Sequence, residues 1–390
     1  MSLRDRACIV GAFEHPTRKA DDKSVALLHA EVAKGALDDA GLSHRDVDGY
    51  FCAGDAPGLG PASIMEYMGL HARYVDSTDT GGSAYILAVA HAAAAIAAGK
   101  CTVALITCAG RPRAAKLPPD AELKILFGPT VPEVPFETAY RHSFANTYGM
   151  VARRHMHEYG TTSEQLAWVK VAASHHAQHN PHAMLREIVT VEDVLNSPMI
   201  ADPLHKLDCC VISDGGGALV VAHPDIARSL KRPLVKVRGT GEAIKHMEGG
   251  RVDVTYSAGR MSSTAAFAEA GITPRDIKYA SLYDSFTITV IVQLEDLGFC
   301  EKGAGGRFVA DGKLISGVGR LPVNTDGGGL CSSHPANRGG ILKVIEAVRQ
   351  LRGEANPRVQ VPGCDLALAH GIGGSLATRH GSATLILERE

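Results

Sequence analysis

The fold is decided by a stretch of sequence that occurs twice, as DAGLSHRDVDGYFCAGD at 39–55 and as EAGITPRDIKYASLYDS at 269–285. The first ten positions of the two copies share the pattern D/E-A-G-L/I-S/T-x-R-D-V/I-x and lie 230 residues apart. Each copy predicts a helix that ends at a glycine, then a Ser or Thr cap, a short turn and a strand. The repeat therefore predicts one α/β unit that is present in two copies.

Two further echoes occur in the same order as the first. GGGALVVAHPD at 215–225 resembles HGSATLILERE at 380–390, and both predict a strand that follows Gly or Ser. Glycine turns open two helices, in STDTGGSAYILAVAHAAAAIAAG at 77–99 and in NTDGGGLCSSHPANRGGILKVIEAVRQLRG at 324–353. Three echoes in one order indicate duplication of a βα module, so the sequence predicts a pseudo-two-fold α/β protein.

The echoes are interpreted as an N-terminal module at 1–245 and a C-terminal module at 246–390. A polar, proline-rich insert at about 118–197 interrupts the first module. A helical stretch around Thr147–Asn180 lies within the insert, and Asn180-Pro181 is expected to end it. Because loops of this length are usually functional, we interpret the insert as an elaborated loop domain.

Composition excludes several classes of function. The 40 Lys+Arg against 42 Asp+Glu give a net charge of −2, too small to collect nucleic acid or an anionic membrane. The longest apolar stretch, 84–98, is too short to span a bilayer. The nine cysteines form no C-x-x-C pair, which argues against structural zinc. Their odd number, without a signal peptide, predicts reduced thiols in the cytoplasm.

The segment at 84–98 is small or apolar on every face except at Tyr85 and His91. A helix that is apolar all round is buried. If it begins at Gly81-Gly82, its unpaired N–H groups and its positive dipole end point into the interior. The start of this helix is therefore a candidate place to stabilise an anion or to activate a nucleophile, and a plain core helix is the alternative.

Four long segments, in family order, resemble thiolases, in particular the sterol-carrier-protein-x type and its bacterial lipid-transfer relatives. They are YGMVARRHMHEYGTTSEQLAWV (148–169), MIADPLHKLDCCVISDGGGALVV (199–221), LYDSFTITVIVQLEDLGFCEKG (282–303) and NTDGGGLCSSHP (324–335). The resemblance implies a thiolase fold: two duplicated βαβαβ modules in a five-layer α-β-α-β-α arrangement, with a loop domain inserted in the first. It also implies an acyl-CoA thioester as the substrate.

Both cysteines that thiolases use are replaced in this chain. The family's C-A-S/T-G motif aligns with Thr78-Asp79-Thr80-Gly81, so Thr78 stands at the position of the nucleophile. A threonine hydroxyl needs a strong adjacent base to become an anion, and a turn or helix-cap residue is the favoured interpretation over an acyl acceptor. The second cysteine falls at or beside His370-Gly371. Three glycines of this segment would let backbone N–H groups approach a substrate oxygen: Gly371, Gly373 and Gly374.

The family's G-H-P motif is present as His334-Pro335, with Ser333 before it. The resemblance implies that His334 touches the thioester oxygen or moves a proton near it. Asn324 and Gly328, which precede it, are assigned to substrate binding on the same resemblance.

The family's N-E-A-F motif appears as Tyr283-Asp284-Ser285-Phe286. Tyr283 replaces the residue that holds a water in the oxyanion hole of thiolases. A phenol can donate a hydrogen bond to an oxyanion, or act as a base if its pKa falls. A half-buried strand tyrosine is the alternative. The resemblance places Asp284 beside Tyr283 in the catalytic motif.

A cluster of four histidines stands apart from these motifs, at His175, His176, His179 and His182. His175 and His179 have the i,i+4 spacing of metal ligands on a helix. No acidic partner completes the set, and Asn180-Pro181 interrupts the helix. The sequence therefore predicts a solvated face of the loop domain.

Without either cysteine, acyl transfer loses its covalent carrier. A retro-aldol cleavage of a β-hydroxyacyl-CoA needs only a base and stabilisation of the thioester enolate. Some lipid-transfer relatives that shorten steroid side chains resemble this case. The sequence therefore predicts an aldolase-like enzyme that makes or breaks a Cα–Cβ bond, with Tyr283 or His334 as the base. The alternatives are an acetyl-CoA acyltransferase with Thr78 or Ser77 as nucleophile, and a non-catalytic acyl-CoA-binding scaffold.

The resemblance also carries expectations about partners. It implies no covalently bound cofactor, because coenzyme A enters as part of the substrate. It implies a homodimer that joins central sheets edge to edge, and a small OB-fold partner protein with a zinc ribbon. Neither nucleic acid nor membrane insertion is expected, and the expected location is the cytoplasm.

Overall fold

The computed structural model describes residues 2–116, 143–246, 248, 251–335, 339–376 and 378–390. The strands are β1 Cys8–Glu14, β2 Gly49–Cys52, β3 Tyr74–Ser77, β4 Val103–Gly110, β5 Met199–Ala201, β6 Leu204–His205, β7 Gly215–Ala222, β8 Val235–Lys245, β9 Tyr279–Leu282, β10 Leu366–Ser375 and β11 Thr378–Arg389. The helices are α1 Val25–Ala40, α2 Pro61–Met68, α3 Ala84–Ala97, α4 Phe144–Tyr159, α5 Ser163–Ala177, α6 Val191–Leu195, α7 Pro224–Ser229, α8 Gly259–Ala270, α9 Thr287–Asp296, α10 Gly305–Val309 and α11 Gly340–Arg352. Across these described ranges, no helix combines the length and the apolar character that a membrane crossing requires.

The main sheet has two halves with the same strand order. Its nine strands run β3-β2-β4-β7-β1-β8-β11-β10-β9, and the halves join where Ile9 of β1 pairs with Val235 of β8. In the first half, β1 pairs antiparallel with β7, and β7 pairs antiparallel with β4. In the second half, β8 pairs antiparallel with β11, and β11 pairs antiparallel with β10. The counterpart of β3 is the single residue Val323, which bridges in parallel to Ala280 of β9. The predicted duplication is therefore present in the strand pairing.

The helices complete five layers. α1 packs on β1, β4 and β7 at the outer face of the first half, and α8 packs on β8 and β11 at the outer face of the second. α3 and α11 lie between the halves and contact strands of both. They share one buried apolar core, which includes Ile86, Ile345 and Leu385. The predicted burial of the alanine-rich helix is confirmed, since most of its residues are fully covered.

The first echo forms the predicted local structure twice. α1 ends at Gly41 and α8 ends at Gly271, with φ angles of +70° and +66° that a residue with a side chain rarely adopts. A one-turn 3₁₀ helix follows each glycine. Its cap is Ser43 in one copy and Thr273 in the other, and each hydroxyl donates to the Asp three residues later. Each turn then leads into β2 or β9.

The loop domain is inserted between β4 and β7, which are neighbours in the sheet. The part of the predicted insert at 118–142 lies outside the described residues. The predicted helical stretch is two helices, because Gly160 ends α4 with a φ of +71° and Thr162 caps α5. α4 rests on the second half, where Tyr148 stacks on Phe286 at 4.8 Å. The described part of the insert therefore covers the second half next to the motif at 283–286.

Strand β8 lies on the other side of the predicted module boundary. The predicted boundary at 245/246 assigns β8 to the N-terminal module. In the structure, however, ten residues of β8 pair with β11, which belongs to the second half of the sheet. β8 is the counterpart of β1, as the 230-residue offset of the first echo also indicates. The second half of the sheet therefore begins at Val235.

Candidate active site

Two polar side chains from distant parts of the second half meet in a buried position. Tyr283 directly follows β9, and His334 lies in the loop before α11. The Tyr283 hydroxyl is 2.8 Å from His334 Nε2, and the rings pack edge to face. Only 5% of Tyr283 and 8% of His334 is exposed. The structure thus brings together the two residues that the sequence proposes as base.

The buried environment fixes the charge of His334. Burial lowers the pKa of His334 to about 4; the nearby Asp284 opposes this shift and Lys343 adds to it. The imidazole is therefore neutral at pH 7, and one ring nitrogen is a proton acceptor. Because it contacts the Tyr283 hydroxyl, the two groups can share one proton.

The loop that carries His334 is anchored by backbone hydrogen bonds. It contains a π-helical turn at Gly328–Ser332, a conformation that is frequent at functional sites. The Asp284 carboxylate accepts the N–H groups of Gly329 and Leu330, at 2.8 and 3.1 Å. Further along, the His334 N–H donates to Ser213 Oγ at 2.8 Å. These contacts fix the imidazole relative to Tyr283.

Asp284 also forms a buried ion pair. Lys343 Nζ of α11 lies 2.6 Å from Asp284 Oδ1, and 4% and 1% of the two side chains are exposed. Burial disfavours the ammonium, but Asp284 and Asp326 outweigh it and raise the pKa of Lys343. The structure thus uses Asp284 as an anchor for the loop, and its predicted part in the chemistry stays a prediction.

Asn324 and Gly328 shape the backbone around this anchor. The Asn324 amide accepts from the Leu282 N–H at 2.8 Å and donates to the Leu282 carbonyl at 2.9 Å. Gly328 lies so close to Asp284 that a Cβ there would come within 2.1 Å of Oδ2. Asn324 therefore holds the strand end before Tyr283, and Gly328 leaves room for the Asp284 carboxylate after it. Substrate binding by either one stays a prediction.

The end of β10 runs against the turn that begins α3. A Cβ on Gly373 would lie 1.6 Å from the Thr80 carbonyl oxygen, and one on Gly371 would lie 2.9 Å from the Gly82 oxygen. Gly374, the last glycine of the segment, has a φ of +67°. On the other side, a Cβ on Gly82 would lie 2.5 Å from Cζ of Tyr283. The three predicted glycines, Tyr283 and the start of α3 therefore meet at one place.

Thr78 lies in a different environment. It is partly exposed, and its hydroxyl donates to Asp76 Oδ1 at 2.8 Å. Asp76 Oδ2 in turn lies 3.1 Å from Nδ1 of His91, whose Nε2 lies 3.1 Å from Glu242. The hydrogen bond from His91 lowers the pKa of Asp76, so this carboxylate is a weak base. Thr78 lies in the segment after β3 and does not cap α3. Its assignment as a turn residue or as an acyl acceptor stays a prediction.

The histidine cluster differs from its prediction at His176. The sequence predicts a solvated face, but His176 is 1% exposed. Its ring lies between the Asn324 carbonyl, 3.2 Å from Nδ1, and the Ser316 N–H, which donates to Nε2 at 2.9 Å. Burial lowers the pKa of His176 to about 4. The prediction failed here because this face of α5 packs on the loop that begins at Asn324.

Lys343 is the main site residue that the sequence analysis missed. The available signal was a polar stripe in an apolar helix: Lys343, Glu346 and Gln350 follow the i, i+3, i+7 spacing of one helical face, and all are buried. Periodicity alone assigns such a stripe to the solvent. Ser213 carried no comparable signal in the sequence.

Comparison with known proteins gives a consistent set of similarities. A family model described as "Thiolase C-terminal domain-like" matches residues 241–389. The chain is 35% identical to an acetyl-CoA acetyltransferase of Methanothermobacter thermautotrophicus, over 96% of this chain and 98% of that protein. It is 34% identical to the 17-hydroxy-3-oxo-4-pregnene-20-carboxyl-CoA lyase of Mycobacterium tuberculosis, over 91% and 94%.

Among solved structures, the chain is similar to an Ltp2–ChsH2(DUF35) aldolase. The TM-score is 0.87 and the sequence identity 32%, over 99% of this chain and 98% of that chain. The likeness therefore extends over both halves of the sheet and over the loop domain.

Proposed function

This chain belongs to the thiolase superfamily, within its sterol-carrier-protein-2 thiolase-like branch, and on that premise we propose that it is an enzyme that cleaves the Cα–Cβ bond of a β-hydroxyacyl-CoA by a retro-aldol reaction. The observation that carries the proposal is the 2.8 Å contact between Tyr283 and His334 beside the start of α3. Two relatives named as a carboxyl-CoA lyase and an aldolase support it.

The proposed reaction is balanced in protons and electrons. A base removes the proton of the substrate's β-hydroxyl group. The Cα–Cβ bond then breaks, the β-carbon leaves as an aldehyde or ketone, and the bonding pair moves onto the thioester as an enolate. Protonation of the α-carbon releases the shortened acyl-CoA, so neither an oxidant nor a reductant is needed.

Tyr283 and His334 supply the proton transfers. The neutral imidazole accepts the phenolic proton while the Tyr283 oxygen takes the proton of the β-hydroxyl, and the pair returns a proton to the α-carbon. Stabilisation of the enolate oxygen is assigned to backbone N–H groups at the start of α3 and at the end of β10, where Gly371, Gly373 and Gly374 lie.

The second candidate is acyl transfer with an unusual nucleophile, which the similarity to an acetyl-CoA acetyltransferase favours. Thr78 occupies the position of the nucleophile, but its hydroxyl partner is the weakly basic Asp76. Cys331, in the loop that carries His334, is fully buried, and burial raises the pKa of its thiol. Both observations favour the lyase over the transferase.

The proposal extends to assembly. β3 is an edge strand with Val75 44% exposed, and we assign to it the edge-to-edge contact of a homodimer. The aldolase relative is named with ChsH2(DUF35), which supports a small OB-fold partner protein for this chain. Coenzyme A enters as part of the substrate, and the proposed location is the cytoplasm.

Incubation with defined thioesters tests the proposal. The protein, alone and with the partner, is mixed with a β-hydroxyacyl-CoA or a β-ketoacyl-CoA, and products are measured by mass spectrometry. We expect an aldehyde or ketone and a shortened acyl-CoA from the β-hydroxy substrate without added CoA. Turnover of only the β-keto substrate with added CoA, together with a mass adduct at residue 78, would establish the transferase instead. No turnover with the partner present would reject both reactions.

A further inference from the structure

A lysine is buried in the first turn of the central helix α11. Lys343 is 3% exposed, and its ammonium contacts Asp284 Oδ1 at 2.6 Å. Taking an ammonium and a carboxylate out of water costs several kcal/mol per ion, and a buried ion pair is weak evidence for stability. The pair therefore calls for an explanation other than the stability of the fold.

The contacts of Asp284 connect Lys343 to His334. The same Oδ1 that receives the lysine also accepts the Gly329 N–H, and Oδ2 accepts the Leu330 N–H. Gly329 lies against the imidazole, since a Cβ there would be 3.3 Å from Cδ2 of His334. One carboxylate thus joins the ammonium to the turn that carries the imidazole.

We propose that Lys343 is a positioning residue of the Tyr283–His334 pair, which neutralises Asp284 and, through it, fixes both the place and the charge of His334. The inference rests on the proposed function for its kinetic readout only. Without Lys343, an unpaired carboxylate would lie beside the imidazole and favour its protonated form, which cannot act as a base.

Several charged or titratable groups surround this centre. Among the described residues, those that face His334, its loop or Lys343 are Tyr283 and Asp284 after β9, Cys331 of the loop itself, Lys343 of α11, Asp326 before the π-helical turn, Glu14 at the end of β1, Arg18 after it, and Lys170 of α5. Within the part of the chain that the structure describes, Asp284 and Lys343 are the two residues whose charges act on the imidazole, and they act in opposite directions.

Lys170 provides a matched control. It is 1% exposed, and its ammonium donates to the Leu330 carbonyl at 2.7 Å, so it also holds the π-helical turn. Lys170→Met therefore also removes a buried ammonium from the loop, but it leaves Asp284 paired with Lys343. A purely structural role of Lys343 would make the two lysine variants alike.

The test measures the titration of His334 by NMR of ¹⁵N-histidine-labelled protein, with His334→Gln identifying its signal, and the pH profile of kcat. We expect Lys343→Met to raise the pKa of His334 by about 1 unit or more and to move the acidic limb of kcat upward equally. Lys170→Met should lower kcat without either shift, and Asp284→Asn with Lys343→Met should return both towards the wild-type values.

An unchanged His334 titration in folded Lys343→Met would overturn the proposal. If circular dichroism shows that this variant does not fold, Lys343→Gln, which keeps an N–H donor for Asp284, takes its place and is judged by the same shift. Lys343→Arg, which keeps the charge, should retain the wild-type limb. The NMR titration needs no substrate, so a failure of the proposed reaction leaves this result readable.

Discussion

Two hydroxyl groups near the start of α3 have very different hydrogen-bond partners. The Thr78 hydroxyl, in the first half, donates to a partly exposed carboxylate whose pKa is lowered. The Tyr283 hydroxyl, in the second half, faces a buried and neutral imidazole. His91 holds the Asp76 carboxylate in its ionised form, whereas the neutral His334 nitrogen lies within hydrogen-bond distance of the phenol and can accept its proton. We therefore assign the reactive hydroxyl to Tyr283, although the sequence resemblance places both residues in catalytic motifs.

The two histidines behind these hydroxyls differ for the same reason. His91 lies between Asp76 and Glu242, and its hydrogen bond to Asp76 raises the pKa of its imidazole. His334 is enclosed by the protein, and burial lowers the pKa of its imidazole. The first histidine therefore binds a proton more tightly than a free imidazole and the second one less tightly, which makes the neutral His334 the proposed proton acceptor.

The largest expected effect on activity comes from removal of the Tyr283 phenol. Tyr283→Phe should reduce kcat for a β-hydroxyacyl-CoA about 10²- to 10⁴-fold, because general acid–base catalysis contributes that much. His334→Gln should cost a similar factor, and the double variant little more, since both act on one proton path. Steady-state kinetics on variants with wild-type circular dichroism check this. A Tyr283→Phe enzyme that keeps most of its activity would place the base elsewhere.

The contact between the halves is tested at Gly373. Gly373→Ala should lower the free energy of unfolding by about 3 kcal/mol, because a methyl group there would collide with the Thr80 carbonyl and overpack the interface. Gly363→Ala is the control: its Cβ meets nothing within 4 Å, so only the strain of a φ of +59° remains. Urea unfolding measures both. Equal losses for the two variants would mean that β10 does not press on the start of α3.

The two histidines predict opposite dependences of stability on pH. His334 has a folded pKa of about 4, below its ordinary 6.5, so the unfolded chain binds more protons between these values. Stability should therefore fall as the pH drops from 6.5 to 4, by at most about 1.4 kcal/mol per unit. The raised pKa of His91 gives stability that is present below 6.5 and is lost as the pH rises through the folded pKa.

Single substitutions separate these two windows. In urea unfolding across pH 4 to 9 (roughly the span of both windows), His334→Gln should make the acidic side of the stability curve less steep. His91→Gln should flatten the side above 6.5. If both variants alter the same side, the two environments are not as different as their burial and partners indicate.

The smallest effect is expected at Thr78. Thr78→Val should change kcat by about threefold or less, as for substitutions away from special features. Ser77→Ala, at the adjacent alternative nucleophile, is the matched control. A hundredfold loss in Thr78→Val alone, with an acyl adduct on the wild-type residue, would return the nucleophile to the first half and support acyl transfer.

The sequence by itself determined the duplicated architecture. Each copy of the first echo contains its own glycine stop, cap and strand, so Gly41 with Ser43 and Gly271 with Thr273 form the same local structure. The 230-residue offset also relates β1 to β8, although the predicted boundary at 245/246 did not use it. The motifs around Tyr283 and His334 also selected the two residues that the structure brings into contact.

Only the tertiary structure decided how those residues work together. Tyr283 and His334 are 51 residues apart, and Asp284 and Lys343 are 59 residues apart, so no local pattern reports their contacts. The sequence predicts that His176 is solvated, and packing against other parts of the chain buries it instead. The anchoring position of Asp284 likewise depends on which faces the layers cover. Burial determines the charge of an imidazole and the partner of a carboxylate. Burial in turn depends on how the layers pack on each other. The periodicity of a single helix carries no information about that packing.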